Sequence, residues 1–160
     1  MAGVFDTWWA AIVAGVGTQI DGHAIKAFDD NDQGKFGQGA PPAINMRFVD
    51  DAYGPAKSAR GGRGGADPIW TCATRIGIHI WGRGADQVHE IRRRLIVALH
   101  NACGHGNYRL EPGTWNTGTV VTSGCIYVLG VIWDIPIARD ADATAVISEF
   151  DNDNELGPET

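Results

Sequence analysis

The densest gathering of reactive side chains is HNACGHGNY, where His100, Cys103 and His105 lie close together in the chain. A thiolate and two imidazoles are donors that zinc favours, and three of them would leave a fourth position for water. The spacing matches no standard zinc pattern, and no second CxxC or HxxxH completes a site. The simpler reading is a polar helix end, with His100 complementing the last carbonyls and Cys103 a buried thiol.

Other chemistries have less to stand on. No nucleophile elbow or recognisable Cys–His signature surrounds Ser58, Ser123, Ser148 or the three cysteines. Asp29 with Asp30 and Asp50 with Asp51 are paired carboxylates, but both pairs sit in turn-rich segments where Asp is favoured for local hydrogen bonding. Asp29, Asn31, Gln33 and Gly34 echo the start of an EF-hand loop, yet its twelfth position is Ala40 instead of a bidentate Glu. Gly15 and Gly17 begin a dinucleotide fingerprint that Ile20 breaks. The run Arg92, Arg93, Arg94 reads as a solvated helix face or a donor of salt bridges between subunits rather than as a phosphate site.

The elements that would carry these residues follow from periodicity. Phe5 to Ala14 reads as a first helix, with Asp6 and Thr7 as caps and Gly15 and Gly17 as stops. Ile25–Phe28 and Ala43–Val49 read as strands around a loop broken by Gly34, Gly37, Gly39, Pro41 and Pro42. Residues 50–68 form a Gly-rich basic loop holding Lys57, Arg60 and Arg63, either a surface hairpin or an arm that orders on assembly. In Ile69–Trp81, Trp70, Cys72, Thr74, Ile76, Ile78 and Ile80 alternate with Thr71, Arg75, His79 and Trp81, the mark of a strand with one core face.

Gly82 and Gly84 lead into an amphipathic helix over about 85–101, where Val88, Ile91, Leu95, Ala98 and Leu99 recur at helical spacing and Glu90 sits four residues before Arg94. Tyr108–Trp115 reads as a strand. So does Cys125–Ile137, which is apolar on both faces; Tyr127, Leu129 and Trp133 are expected to be exposed for a neighbouring subunit to cover. The fold class expected is α+β, a mainly antiparallel sheet packed on that long helix plus the short N-terminal one. Residues 1–150 form a single domain in this reading, and 151–160 an acidic tail.

Composition narrows the function classes. The chain has 160 residues, 22 of them glycine, which favours strands and turns over a helical bundle. Its net charge is −6, with every Lys and Arg at or before Arg139 and an acidic run after it. A balanced body does not provide the broad basic field that non-specific nucleic-acid binding requires. The apolar run Thr7–Ile20 is too short to span a bilayer and lacks a preceding Lys or Arg, so neither a membrane anchor nor a signal peptide is expected. Three cysteines without framework spacing suit a reducing compartment.

Taken in order, a helix, two strands, the strand TCATRIGIHIWG, the helix ADQVHEIRRRLIVALHNA and a last strand ending WDIPIARD resemble the tail-terminator or tail-completion proteins of long-tailed bacteriophages and related prophage elements. The resemblance covers Thr71 to Arg139 well and the N-terminal part loosely, and it rests on patterns of residue type. The basic loop and the acidic tail depart from it. It implies a homohexameric ring in the virion, assembled in the host cytoplasm. Such a ring caps the last ring of tail tube protein, ends its polymerisation and meets the head-to-tail connector or stopper. It brings no catalytic residue, cofactor or metal.

Assembly contacts are expected at Lys57, Arg60, Arg63, Tyr127, Leu129 and Trp133, with DNA passing through the lumen a further candidate for the basic residues. The alternatives are a head-to-tail connector of the neck, a small intracellular metal-dependent enzyme using His100, Cys103 and His105, and a ligand-binding or regulatory oligomer with an α+β sandwich fold.

Overall fold

A computed structural model describes residues 3–32, 35–56, 68–116 and 124–138. Among the described residues the fold is α+β, with two α-helices and a mixed sheet. Helix α1 spans Val4–Val16. A two-stranded hairpin follows, β1 (Gln19–Ile20) with β2 (His23–Ala24), and then β3 (Lys26–Phe28), a single 3-10 turn at Asp30–Asp32, β4 (Ala43–Pro55) and β5 (Pro68–Gly82). Helix α2 covers Ala85–Cys103, and β6 (Tyr108–Leu110), β7 (Thr114–Asn116) and β8 (Cys125–Ala138) complete the described chain.

The large sheet runs β3-β4-β5-β8-β6, with β7 also on β8. β3 pairs parallel to β4 through Lys26–Ala43, Ala27–Ile44 and Phe28–Asn45. β6 and β7 both pair antiparallel to β8, at Val131–Trp133 and Ile126–Val128 respectively. The chain divides into two compact units, Met1–Asp51 with Thr74–Trp133, and Ala52–Ala73 with Asp134–Thr160.

In the first unit the core forms where apolar periodicities coincide. On α2, Val88, Ile91, Leu95 and Leu99 are fully buried, as are Ile76, Ile78 and Ile80 of β5 and Val131 of β8. Burying each such side chain contributes roughly 1.5–3 kcal/mol relative to leaving it in water. The opposite face of α2 keeps its charge in water: Glu90 accepts from Arg93 at 2.8 Å and from Arg94 at 3.1 Å. Arg94 also donates to the carbonyls of Val16 and Gln19, at 3.2 and 3.0 Å, and so satisfies an acceptor at the end of α1 and another at the start of β1.

Several expectations change. Helix α1 is capped by Gly3, not by Asp6 or Thr7, because the helix begins a residue before Phe5 and places both inside its first turn. Gly17, at φ 92°, ends α1 as expected, but Gly15 lies within the helix. A Cβ on Gly15 would stand 2.6 Å from the Ala98 Cβ, so this glycine serves the close crossing of α1 and α2. The β1–β2 hairpin was missed, although Asp21 (φ 52°) and Gly22 (φ 78°) are a two-residue Asp-Gly turn, a strong local hairpin signal.

The segment expected as a loop from residue 50 is strand as far as Pro55, since pairing with β5 overrides a composition rich in Asp and Gly. The single strand expected over Tyr108–Trp115 is two, β6 and β7, interrupted at Pro112 and Gly113, where the proline removes a ladder donor. Gly113 is required there because any Cβ would overlap the Tyr127 hydroxyl.

Candidate assembly surface

Tyr127, Leu129 and Trp133 are not an exposed face. They are 8, 3 and 9% accessible, and the cover comes from this chain's own elements. Trp133 stacks on Trp8 of α1 and meets the edge of Phe5, while Tyr127 packs on Trp115 of β7 and lies under the Arg92 guanidinium, 4.8 Å from its centroid. Along β8 burial alternates: Tyr127, Leu129, Val131 and Trp133 are buried while Val128, Gly130 and Ile132 are half-buried. Apolar residues on the second face had suggested a missing subunit; part of that face instead lies beneath the segment after β6. Glu111 sits over Gly130, where a Cβ would come within 3.1 Å of its carboxylate.

That Glu111 belongs to a chain of charges across the first unit. Arg75 of β5 donates to Glu111 at 2.7 Å and to Asp50 of β4 at 2.9 Å. The two carboxylates hold the Arg75 guanidinium above its ordinary pKa, the Glu111 hydrogen bond contributing most. With side chains 32–57% exposed, the network fixes strand neighbours more than it stabilises them.

The histidine–cysteine cluster separates. Cys103 is buried and its Sγ accepts from the Trp8 indole at 3.1 Å, while burial pushes its thiol pKa up. His100 is hydrogen-bonded through Nδ1 to the Tyr108 hydroxyl at 2.9 Å, with the His105 ring 5.7 Å away. One donor therefore serves the core while two lie toward β6. Among the described residues no group of three His, Cys, Asp or Glu is placed to hold a metal ion.

The Asp29–Asp32 turn likewise spends carboxylates on amides. Asp29 accepts from the Asn31 amide at 2.8 Å, and Asp30 from the Phe48 amide at 3.4 Å. Arg92, Arg93 and Arg94 each have an internal partner, in His89, Glu90 and Glu90 with the end of α1 respectively. Lys57, Arg60 and Arg63 lie outside the described residues.

What remains conspicuous is the second unit. Its described part comprises Ala52–Pro55 of β4, Pro68–Ala73 of β5 and Asp134–Ala138 of β8, three strands adjacent in the order β4-β5-β8. Every described side chain of Asp134–Ala138 and Ala52–Pro55 is exposed or half-buried, and Tyr53, Ile69, Trp70 and Ile137 are 66, 46, 48 and 40% accessible. All four are large apolar side chains left exposed on these strands, and Ile69 and Trp70, adjacent on β5, point to opposite faces of the sheet. Sequence periodicity marked Trp70 as core-facing and left Tyr53 in a loop, because strand alternation alone does not say where a sheet outruns its core.

No protein-family model matches the chain, and no curated protein matches it.

Proposed function

We propose that this chain is the subunit of a ring that closes the tail tube of a long-tailed bacteriophage, ends tube polymerisation and joins the tail to the head connector. The observation that carries the reading is the set of exposed apolar side chains on the second unit, Tyr53, Ile69, Trp70 and Ile137. Large apolar side chains exposed on both faces of these strands favour a chain made to be covered by neighbours. The order TCATRIGIHIWG, helix, WDIPIARD supports the resemblance to tail-terminator proteins; its first strand lies in β5, its helix in α2, and Trp133–Ala138 of its last strand in β8. In this reading the working fold is a mainly antiparallel sheet carried on the amphipathic helix over about 85–101, the ring is a homohexamer, and its faces meet the tail tube protein and the head-to-tail connector. Its chemistry is assembly, without catalysis.

Deleting the gene from its source genome and imaging the particles by negative-stain electron microscopy tests it. Filled heads beside unattached tails of irregular, excessive length are expected. Normal particles would overturn the reading, and headless tails of normal length would move the chain to the connector.

A further inference from the structure

We infer that a cationic recess beside β3 binds phosphate groups, held by Lys26, Lys35 and Arg83; it is separate from the exposed strands that carry the ring reading and stands without it. The recess consists of two adjoining cavities that share Ala40. The first, about 230 Å³, is walled by Phe28, Ala43 and Trp81 and rimmed by Lys26, Lys35 and Gly39. The second, about 240 Å³, adds Pro41, Gly124 and Arg83. The chain carries a net charge of −6, yet three cations and no carboxylate line these cavities among the described residues. Charge of one sign gathered in a cleft focuses its field and draws counter-ions in.

Each cation is available to an anion. No carboxylate pairs with the Lys26 ammonium among the described residues. A Cβ on Gly39 would stand 2.7 Å from Lys26 Nζ, so glycine at that position lets the backbone come up to the ammonium. Lys35 meets Asp32 at 3.3 Å, but the Lys35 side chain is 67% exposed, and an open pair of this kind is worth little and readily exchanged. Arg83 Nη2 donates to His23 Nδ1 at 3.3 Å, an acceptor that leaves the guanidinium charge unneutralised. The carboxylates nearest in the chain are directed elsewhere: Asp29 and Asp30 to the Asn31 and Phe48 amides, and Asp21 to the Gln87 side chain.

The recess is held in shape by the sheet. Register places Lys26 beside Ala43 and Phe28 beside Asn45. Phe36 meets Phe28 and Trp81 edge-on, at 6.4 and 6.0 Å, which fastens the segment bearing Lys35 to that face. Each cavity is smaller than the roughly 300–1,000 Å³ of sites that enclose a drug-sized ligand, so the fit is to a phosphate group and not to a whole nucleoside. Lysines hold phosphate as point charges, and arginine adds a fork of donors. Two joined cavities suit two linked phosphates, either a pyrophosphate or successive phosphodiesters of a nucleic-acid strand.

The test is calorimetric titration of the purified full-length chain with inorganic pyrophosphate and, separately, with a short DNA duplex. Saturable binding is expected, weakened at least about tenfold by Lys26→Gln combined with Arg83→Gln, since each change removes a charged donor. Both side chains are exposed, so circular dichroism and thermal midpoint should match the parent. Arg93→Gln, which removes an exposed cation of α2 paired with Glu90, should leave binding unchanged. Duplex binding lost in the double variant would assign the recess to nucleic-acid backbone, and pyrophosphate binding alone would assign it to a free phosphorylated ligand. Failure of both probes to bind would overturn the inference, as would binding that the double variant retains or that Arg93→Gln weakens equally. If the double variant melts early, Lys35→Gln alone supplies the same readout, and undiminished affinity there would overturn the site.

Discussion

Trp8 and Trp133 are stacked, with ring planes 14° apart and centroids separated by 5.1 Å. The pair joins α1 to β8, and the Trp8 indole reaches on to Cys103 at the end of α2, so three elements meet at one aromatic contact. Replacing Trp133 with Ala is expected to lower the stability of the chain by about 3–5 kcal/mol, the usual consequence of emptying a large aromatic site in a core. Urea denaturation measures it. A variant that melts like the parent but fails to assemble would return Trp133 to an interface.

The crossing of α1 over α2 depends on Gly15. Alanine in place of an interior helical glycine gains about 1 kcal/mol from propensity, whereas overpacking costs about 1–3 kcal/mol. With the Ala98 Cβ at 2.6 Å from the added methyl, the overpacking term is expected to dominate and Gly15→Ala to destabilise. Ala98→Gly in the same chain should recover part of that loss. A double-mutant cycle with a favourable coupling of at least about 0.5 kcal/mol is the expected result, and strict additivity would show that the helices are free to separate.

Periodicity made α2 legible because Val88, Ile91, Leu95 and Leu99 fall on one helical face, and all four are buried. The same logic found the alternation of Ile76, Ile78 and Ile80 in β5 and the existence of β8. It misjudged what covers β8, because Trp8 and Phe5 lie more than a hundred residues away in the chain and nothing in FDTWWAA announces that Trp8 stacks on Trp133 while Phe5 meets it edge-on. It also stopped β4 at Val49. Asp50, Asp51 and Gly54 are poor strand formers in isolation, and only the neighbouring strand β5 holds them extended. For the candidate surface, residue type was the wrong signal: the basic residues and Trp133 drew attention, while exposed Tyr53 and Ile137 are visible only once the strands are placed.

Lys57, Arg60 and Arg63 are the three basic residues of the segment that joins β4 to β5. In a ring their charge is repeated by every subunit, which concentrates a positive field against an acidic neighbouring ring or against DNA in the lumen. Changing all three to Ala is expected to reduce infective particle yield while the purified chain keeps its melting temperature. Plaque counts and particle counts on the same lysates measure the effect. Unchanged infectivity would remove these residues from the assembly surface.

His79 gives the chain a pH dependence of definite sign. Burial of the ring holds its pKa below the ordinary 6.5, the nearby Arg47 adds to the effect, and a hydrogen bond to the Asn45 backbone opposes it. Phe36 packs against one side of the imidazole, and its Nδ1 is buried without a hydrogen-bond partner. Between the lowered folded value and 6.5 the unfolded chain binds a proton that the folded chain does not, so unfolding free energy rises with pH across that window. The contribution is complete above 6.5 and is lost as pH falls toward the folded value. Urea midpoints taken from about pH 5 to pH 8 should therefore climb, and His79→Gln should flatten the slope relative to the parent, which retains the other histidines as a common background. Equal slopes in the two proteins would show that the imidazole titrates freely, and with it that Phe36 does not cover the ring in solution.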